Sequence, residues 1–304
     1  MKQVFYSNGK LLLTGEYVVL NGAKALAVPT KFGQYLTVYA GTNKQFKWTS
    51  FDVDNSIWFE DVITFEEIIS FTKENEATTI KSKLIAILHQ AYIQNPNFIT
   101  DFDGYVVETA LTFPRLWGLG TSSTLINNIG QWLNIDAFNL LKESFGGSGY
   151  DVACAQTDSP IIYQLENNKP TFDVANFNPL FKENIHFIYL NQKQSSSTAI
   201  ANYFSKNHDL DTNITKISAI TNAALLCTEG RDFALLMEKH QAIMSTILQT
   251  ETVKEKQFSD FNGVVKSLGA WGGDFVMVLS EQNPREYFIE KGFETILTYD
   301  EMVL

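Results

Sequence analysis

The segment PRLWGLGTSST, residues 114–124, constrains this chain more than any other stretch. GYVVETALTF (104–113), just before it, is rich in β-branched and aromatic residues and predicts a strand that Pro114 ends. SSTLINNIGQWLN follows and predicts a helix. Two glycines therefore sit between a strand and a helix N-terminus. Glycine adopts backbone angles closed to other residues and lets a backbone approach a ligand closely. A helix N-terminus presents unpaired N–H groups and a partial positive charge. That combination suits a phosphate, although the same letters alone also describe an ordinary loop leading into a buried helix.

With 304 residues, 45% of them hydrophobic, the chain can bury one large core or two smaller ones. Its 23 Phe and 12 Tyr argue against disorder. A formal net charge of −11, without a dense Lys/Arg cluster, disfavours nucleic acid and anionic lipid as partners. Cys154 and Cys227 are far apart and make neither a disulfide framework nor a metal-ligand spacing. MKQVFYSNGK lacks the apolar core of a signal peptide, and no apolar run approaches the roughly 18 residues of a membrane span. A soluble, cytoplasmic protein is expected, with no membrane partner.

Along the chain, the first 60 residues read as β-rich, with KLLLTGEYVVL forming two apolar runs broken at Gly15-Glu16 and QYLTVYAG alternating. TTIKSKLIAILHQAYIQNP predicts a helix with Ile80, Leu84, Ile87, Leu88 and Ala91 on one face. PIIYQL reads as a strand and ENNKP as a hairpin turn, IHFIYL as a further strand, and helices are expected around 197–206, 214–228 and 231–250. VVKSLGAWGGDFVMVLS reads as a helix end, a glycine turn and an apolar strand. A domain boundary is placed near residue 180, dividing the chain into 1–180 and 181–304.

Three glycine-rich turns stand out, at 118–123, 146–149 and 269–273, and Gly9-Lys10 adds a fourth. Each stands beside a reactive residue type. Moving a γ-phosphoryl group needs donors for the triphosphate, a magnesium ligand, a nearby positive charge and a carboxylate near the acceptor. The 118–123 turn could supply the donors, Ser122 or Ser123 a hydroxyl, Lys10 the charge and Asp151 the carboxylate. A GxxxxGK[ST] loop is absent, as are the HRD and DFG signatures of protein kinases.

Taken together the motifs resemble those of the GHMP kinases, small-molecule kinases that include galactokinase, homoserine kinase, mevalonate kinase and phosphomevalonate kinase. GKLLLTGEYVVLNG is similar to the family's first motif, PRLWGLGTSST to its second and SLGAWGGDFVMVL to its third; GSGYDVACA resembles the segment carrying the catalytic aspartate in the mevalonate branch. The motifs run in the family's order from residue 9 to 279. The resemblance implies an α+β fold, the GHMP kinase fold, with an N-terminal ATP-binding domain like ribosomal protein S5 domain 2 and a ferredoxin-like C-terminal domain. It implies ATP and Mg²⁺ as cofactors, with Gly118, Leu119, Gly120, Thr121, Ser122 and Ser123 around the nucleotide phosphates. Asp151 and Lys10 would be catalytic, and Ser122 and Glu143 would face the metal. Glu16, Tyr17, Ser148, Gly149, Lys193, Ser196, Gly272, Gly273 and Asp274 would contact the acceptor, a small molecule. A homodimer is compatible with the sequence, which leaves oligomeric state open.

GAWGGD and GEYVVL are most similar to the phosphomevalonate kinase branch, with mevalonate kinase close behind. A homoserine or sugar kinase is the alternative acceptor reading. An inactive metabolite-binding protein of this fold is the alternative to an enzyme. Trp271 keeps that last reading alive, because it replaces a glycine of the third motif and tryptophan tolerates positive φ poorly.

Overall fold

A computed structural model describes residues 2–72, 79–192, 196–206, 209–271 and 273–304. In chain order the elements are β1 (Gln3–Thr14), β2 (Ala25–Ala40), β3 (Gln45–Phe51), β4 (Ile57–Thr64), α1 (Phe65–Ile69), α2 (Ile80–Gln94), α3 (Asn97–Thr100) and β5 (Gly104–Leu111). Next come α4 (Thr121–Leu133), α5 (Ala137–Ser144), α6 (Tyr150–Ala155), β6 (Ile161–Glu166), β7 (Lys169–Val174) and β8 (Ile185–Tyr189). The remainder is α7 (Ser196–Phe204), α8 (Leu210–Leu225), α9 (Gly230–Leu248), α10 (Val253–Gln257), β9 (Val264–Ser267), β10 (Phe275–Leu279), α11 (Arg285–Glu290), β11 (Ile296–Thr298) and α12 (Tyr299–Met302).

The chain forms two compact units, each assembled from separate segments. The first holds residues 1–9, 32–115 and 120–156; the second holds 10–31, 116–119 and 157–304. The division expected near residue 180 thus gives way to one in which residues 10–31 are grouped with the C-terminal half. The reason is hydrogen bonding: Ala25–Ala27 of β2 pair antiparallel with Tyr163–Ile161 of β6, far along the chain.

In the first unit the strand order is β4-β3-β5-β2. β3 and β5 are parallel, and the other neighbours are antiparallel. One face is covered by α2, α4 and α5, whose Leu84, Ile87, Leu88, Ile126, Ile129, Leu133 and Leu140 join Phe46, Trp48 and Val107 in one apolar cluster. Ile80 does not join them: it is exposed at the first turn of α2, one position after the Thr79 cap.

In the second unit β6 and β7 form a hairpin, and a four-stranded antiparallel sheet has the order β11-β8-β10-β9. β8 and β10 are buried along their whole length, as continuous apolar strands covered on both faces must be. VVKS, expected to be a helix end, is the strand β9, with all four residues buried and β-branched Val264 and Val265 paired to β10. YVVL at 17–20 behaves in the opposite way. It leaves β1 through a turn and forms a single 3₁₀ segment, Val18–Asn21, rather than a strand. Gly9-Lys10 is not a turn but the middle of β1.

Candidate active site

The phosphate-cradle sequence folds locally as its letters suggest. Gly118 has φ 71° and Gly120 φ 100°, both left-handed, and Gly120 is the N-cap of the 13-residue α4. No side chain caps α4. Its first-turn N–H groups therefore lack both intrahelical and side-chain partners. Of the four hydroxyls that follow, those of Ser123 and Thr124 are turned to internal acceptors. Ser123 Oγ donates to the Gly120 carbonyl at 2.9 Å, and Thr124 Oγ1 donates to Gln34 Oε1 at 2.8 Å. Ser122 is exposed and makes no hydrogen bond among the described residues.

Buried amides hold this helix end in place. Asn128 Nδ2 donates to the Gln34 carbonyl (2.9 Å), Asn128 Oδ1 accepts from Ser7 Oγ (2.8 Å), and Asn127 Nδ2 donates to the Ala155 carbonyl (3.1 Å). α4 is thereby fastened to β1, β2 and the end of α6 at fixed register. The sequence reading did not single out these asparagines; two adjacent amides inside the apolar run of INNIG are the signal that would have found them.

Asp151 lies on α6, whose N-cap is left-handed Gly149 (φ 90°), again without a side-chain cap. Asp151 is the second residue of that helix and half-buried. Its Oδ1 accepts the N–H of Val152 at 3.0 Å, so it is not the N-cap of α6. Ser148 and Gly149 are buried beside it in sequence. Glu143 is exposed in the last turn of α5.

In the second unit Lys10 grips the loop that leads into the cradle. Its Nζ donates to the Gly118 carbonyl at 3.1 Å and its backbone N–H to the Leu119 carbonyl at 3.0 Å. Asp274 packs over Gly118 from the other side. A Cβ added to Gly118 would lie 2.5–2.8 Å from the Asp274 carboxyl atoms, and its φ of 71° strains any other residue. Asp274 has φ 53° and Trp271 φ 51°. The tryptophan thus holds the left-handed angle that the sequence spoke against, with its indole packed against the cluster of Tyr17, Tyr203 and Met244. Lys193 and Gly272 lie outside the described residues. Ser196 opens α7, but its side chain also lies outside them. Gly273 is buried.

Tyr17 (φ 59°) is stacked on Tyr203 at 5.5 Å between ring centroids. Burial, with the nearby Glu16 and Asp274 carboxylates, raises its phenol pKa and keeps it a neutral donor. Glu16 departs from its expected role as an acceptor contact. It is 1% exposed, and its Oε1 is ion-paired with Lys266 Nζ, itself 0% exposed. A carboxylate so enclosed meets the protein rather than a ligand. Neither Lys266 nor its neighbour His240 was singled out from the sequence. A lone lysine inside the apolar VVKS was the available clue.

This is the fold of the GHMP kinases, an α+β arrangement with a large sheet and a second, antiparallel one. Mevalonate kinase from Methanococcus jannaschii superposes with a TM-score of 0.73 at 17% identity, covering 98% of each chain. Streptococcus pneumoniae phosphomevalonate kinase, solved with phosphomevalonate and AMPPNP, gives 0.73 at 15% identity over 97% of this chain and 99% of its own. Lactococcus lactis galactokinase with galactose gives 0.63 at 14% identity over 95% and 88%. No family model and no curated protein matches the chain by sequence.

Proposed function

We propose that the chain is an ATP-dependent phosphotransferase acting on a small hydroxylated acid, with phosphomevalonate or mevalonate as the leading acceptors. The observation that carries this reading is the N-terminus of α4: two left-handed glycines, a first turn with no side-chain cap, and the exposed Ser122 hydroxyl. Backbone donors and the helix dipole there favour the phosphates of a nucleotide. Phosphomevalonate kinase, of the same fold, carries AMPPNP in its solved complex.

The residues also fit a magnesium ion. Magnesium prefers oxygen ligands, retains water and takes much of its coordination from substrate phosphates, so one or two protein oxygens suffice. Ser122 would supply one, with Glu143 as the second candidate. Among the described residues no group of three or more His, Cys, Asp or Glu forms an all-protein cage. When bound, the ion would neutralise charge on the transferring phosphates.

The chain's own groups would do the rest. Asp151 accepts or orients the proton of an acceptor hydroxyl; if the acceptor is already a phosphate, it positions that group. Lys10, anchored on the Gly118 carbonyl, brings positive charge to the cradle. Tyr17, Ser148, Gly149, Gly273 and Asp274 are the proposed acceptor contacts.

The test is ADP release with Mg·ATP against mevalonate, phosphomevalonate, homoserine and simple sugars. We expect turnover with one of the acids. Asp151→Asn should fold normally, bind ATP and lose roughly 10²-fold in kcat. Ser122→Ala should keep its Tm and bind Mg·ATP more weakly. Absence of ADP release with every acceptor, together with no Tm rise at saturating Mg·ATP, would overturn the reading.

A further inference from the structure

Deep in the second unit, three polar side chains from three elements meet with at most 1% exposure: Glu16, just after β1, Lys266 on β9 and His240 on α9. Glu16 Oε1 accepts from Lys266 Nζ, which also donates to the Ser267 carbonyl at 3.0 Å. His240 Nε2 accepts the Gly15 N–H at 2.9 Å. The same nitrogen lies 3.2 Å from Glu16 Oε2, yet this is not an ion pair. Burial and the Lys266 ammonium push the imidazole pKa well below its ordinary value, so the ring is neutral and accepts at Nε2. Gln241, next on α9, reaches Ser267 Oγ at 3.5 Å.

These contacts tie the turn after β1 to the end of β9, which leads into a second turn. The first is Gly15–Tyr17, where Gly15 has φ 92° and Tyr17 φ 59°. The other follows β9 after Leu268 and contains left-handed Gly269, Trp271 and Asp274. Backbone in such regions persists only where its surroundings over-determine it. An apolar pair of similar volume would generally be at least as stable as a buried ion pair. What charge and hydrogen bonds add is direction. Tyr17 and Trp271 already share one apolar cluster, and the Asp274 carboxylate acts on the Tyr17 phenol.

We propose that Glu16, Lys266 and His240 are positioning residues: a buried polar latch that fixes the Gly15–Tyr17 turn against the turn that follows β9 and so presets Tyr17 and Asp274 for the acceptor. The latch stands on its own geometry; only its link to the acceptor rests on the phosphotransferase reading.

The experiment is hydrogen–deuterium exchange on the full chain, with Tm measured in parallel. Glu16→Gln leaves Lys266 buried without its counter-charge and lowers Tm. The Glu16→Gln/Lys266→Met double variant removes both charges and is expected to recover most of that Tm. If the pair is a latch, exchange of peptides over 15–19 and 268–274 stays raised roughly fivefold or more in the double variant while peptides from β5 are unchanged. If the pair only balances charge, exchange returns to the wild-type level along with Tm, and the proposal fails. His240→Leu gives an arm that removes no charge: exchange should rise at 15–19 and be restored by His240→Gln, whose amide oxygen can accept the Gly15 N–H. Equal protection in wild type and His240→Leu overturns the role of His240. Should an acceptor be identified, the double variant should raise its KM at unchanged KM for ATP. Should none be, the exchange result still decides the latch.

Discussion

Gly15 is a residue whose identity the fold dictates narrowly. Its φ is 92°, and an added Cβ would lie 2.7 Å from the Cβ and 2.9 Å from the Cα of Ala25. Gly15→Ala therefore meets strain and collision together and should cost of order 1–3 kcal/mol or more, read from the urea midpoint. Gly146→Ala is the control. It too is left-handed (φ 72°), but its Cβ would meet nothing within 4 Å, so it should carry strain alone and cost less. Equal losses would show that crowding by Ala25 is unimportant. At this scale the sequence revealed the positions that glycine marks, Gly118, Gly120 and Gly149. It did not reveal that Tyr17 and Trp271 adopt left-handed angles, because side-chain propensity argues against them and only packing in the Tyr203 cluster overrides it. Nor did it reveal the Glu16–Lys266 pair, whose partners stand 250 positions apart.

Elements with strong local signals were legible. ENNKP forms the β6–β7 hairpin turn, with Asn167 at φ 53° and Asn168 at φ 61°, the pairing of two positive angles that a two-residue hairpin needs. Asn168→Gly should leave stability nearly unchanged, whereas Asn168→Val should cost about 1–2 kcal/mol, measurable by denaturant unfolding. Among the described residues four helices begin with reciprocal capping boxes, three of them Thr–Glu pairs: Thr64–Glu67, Thr252–Glu255 and Thr298–Glu301. Backbone hydrogen bonds from the capping threonines hold Glu255 and Glu301 below the ordinary glutamate value of 4.5. For Glu67, burial pulls upward, but its bonds to Thr64 and Lys81 prevail and lower it as well. A depressed carboxylate stabilises the fold above its unfolded pKa and loses that contribution as pH falls through its folded pKa. The triple variant Glu67→Gln/Glu255→Gln/Glu301→Gln should therefore be less stable than wild type at pH 7, and the gap should close in acid below about pH 4. A gap in Tm that persists unchanged in acid would remove the caps from the account. The elements misread were those where local pattern and tertiary setting disagree: VVKS is too short to signal a strand without β10, and YVVL lacks a strand partner after Gly15.

At the scale of the whole molecule, the second unit is built from residues 10–31, 116–119 and 157–304. A fragment of residues 157–304 alone would lose the β2 partner of β6 and leave Lys266 buried without Glu16. It should show no cooperative thermal transition by circular dichroism, whereas the full chain should; a cooperative transition in the fragment would show that the N-terminal segment is dispensable. The same interleaving governs how the protein is born. A ribosome extends a chain at roughly 5–20 residues per second, so the stretch from 31 to 304 takes on the order of 15–60 seconds to emerge. Throughout that interval Leu11, Leu12, Leu13, Val18, Val19 and Leu26, all buried in the finished molecule, have been synthesised ahead of β6, β9 and α9. Residues 10–31 of one compact unit must wait, sticky and unpartnered, for residues 157–304 of the same unit. A nascent-chain chaperone is the natural custodian of such a segment.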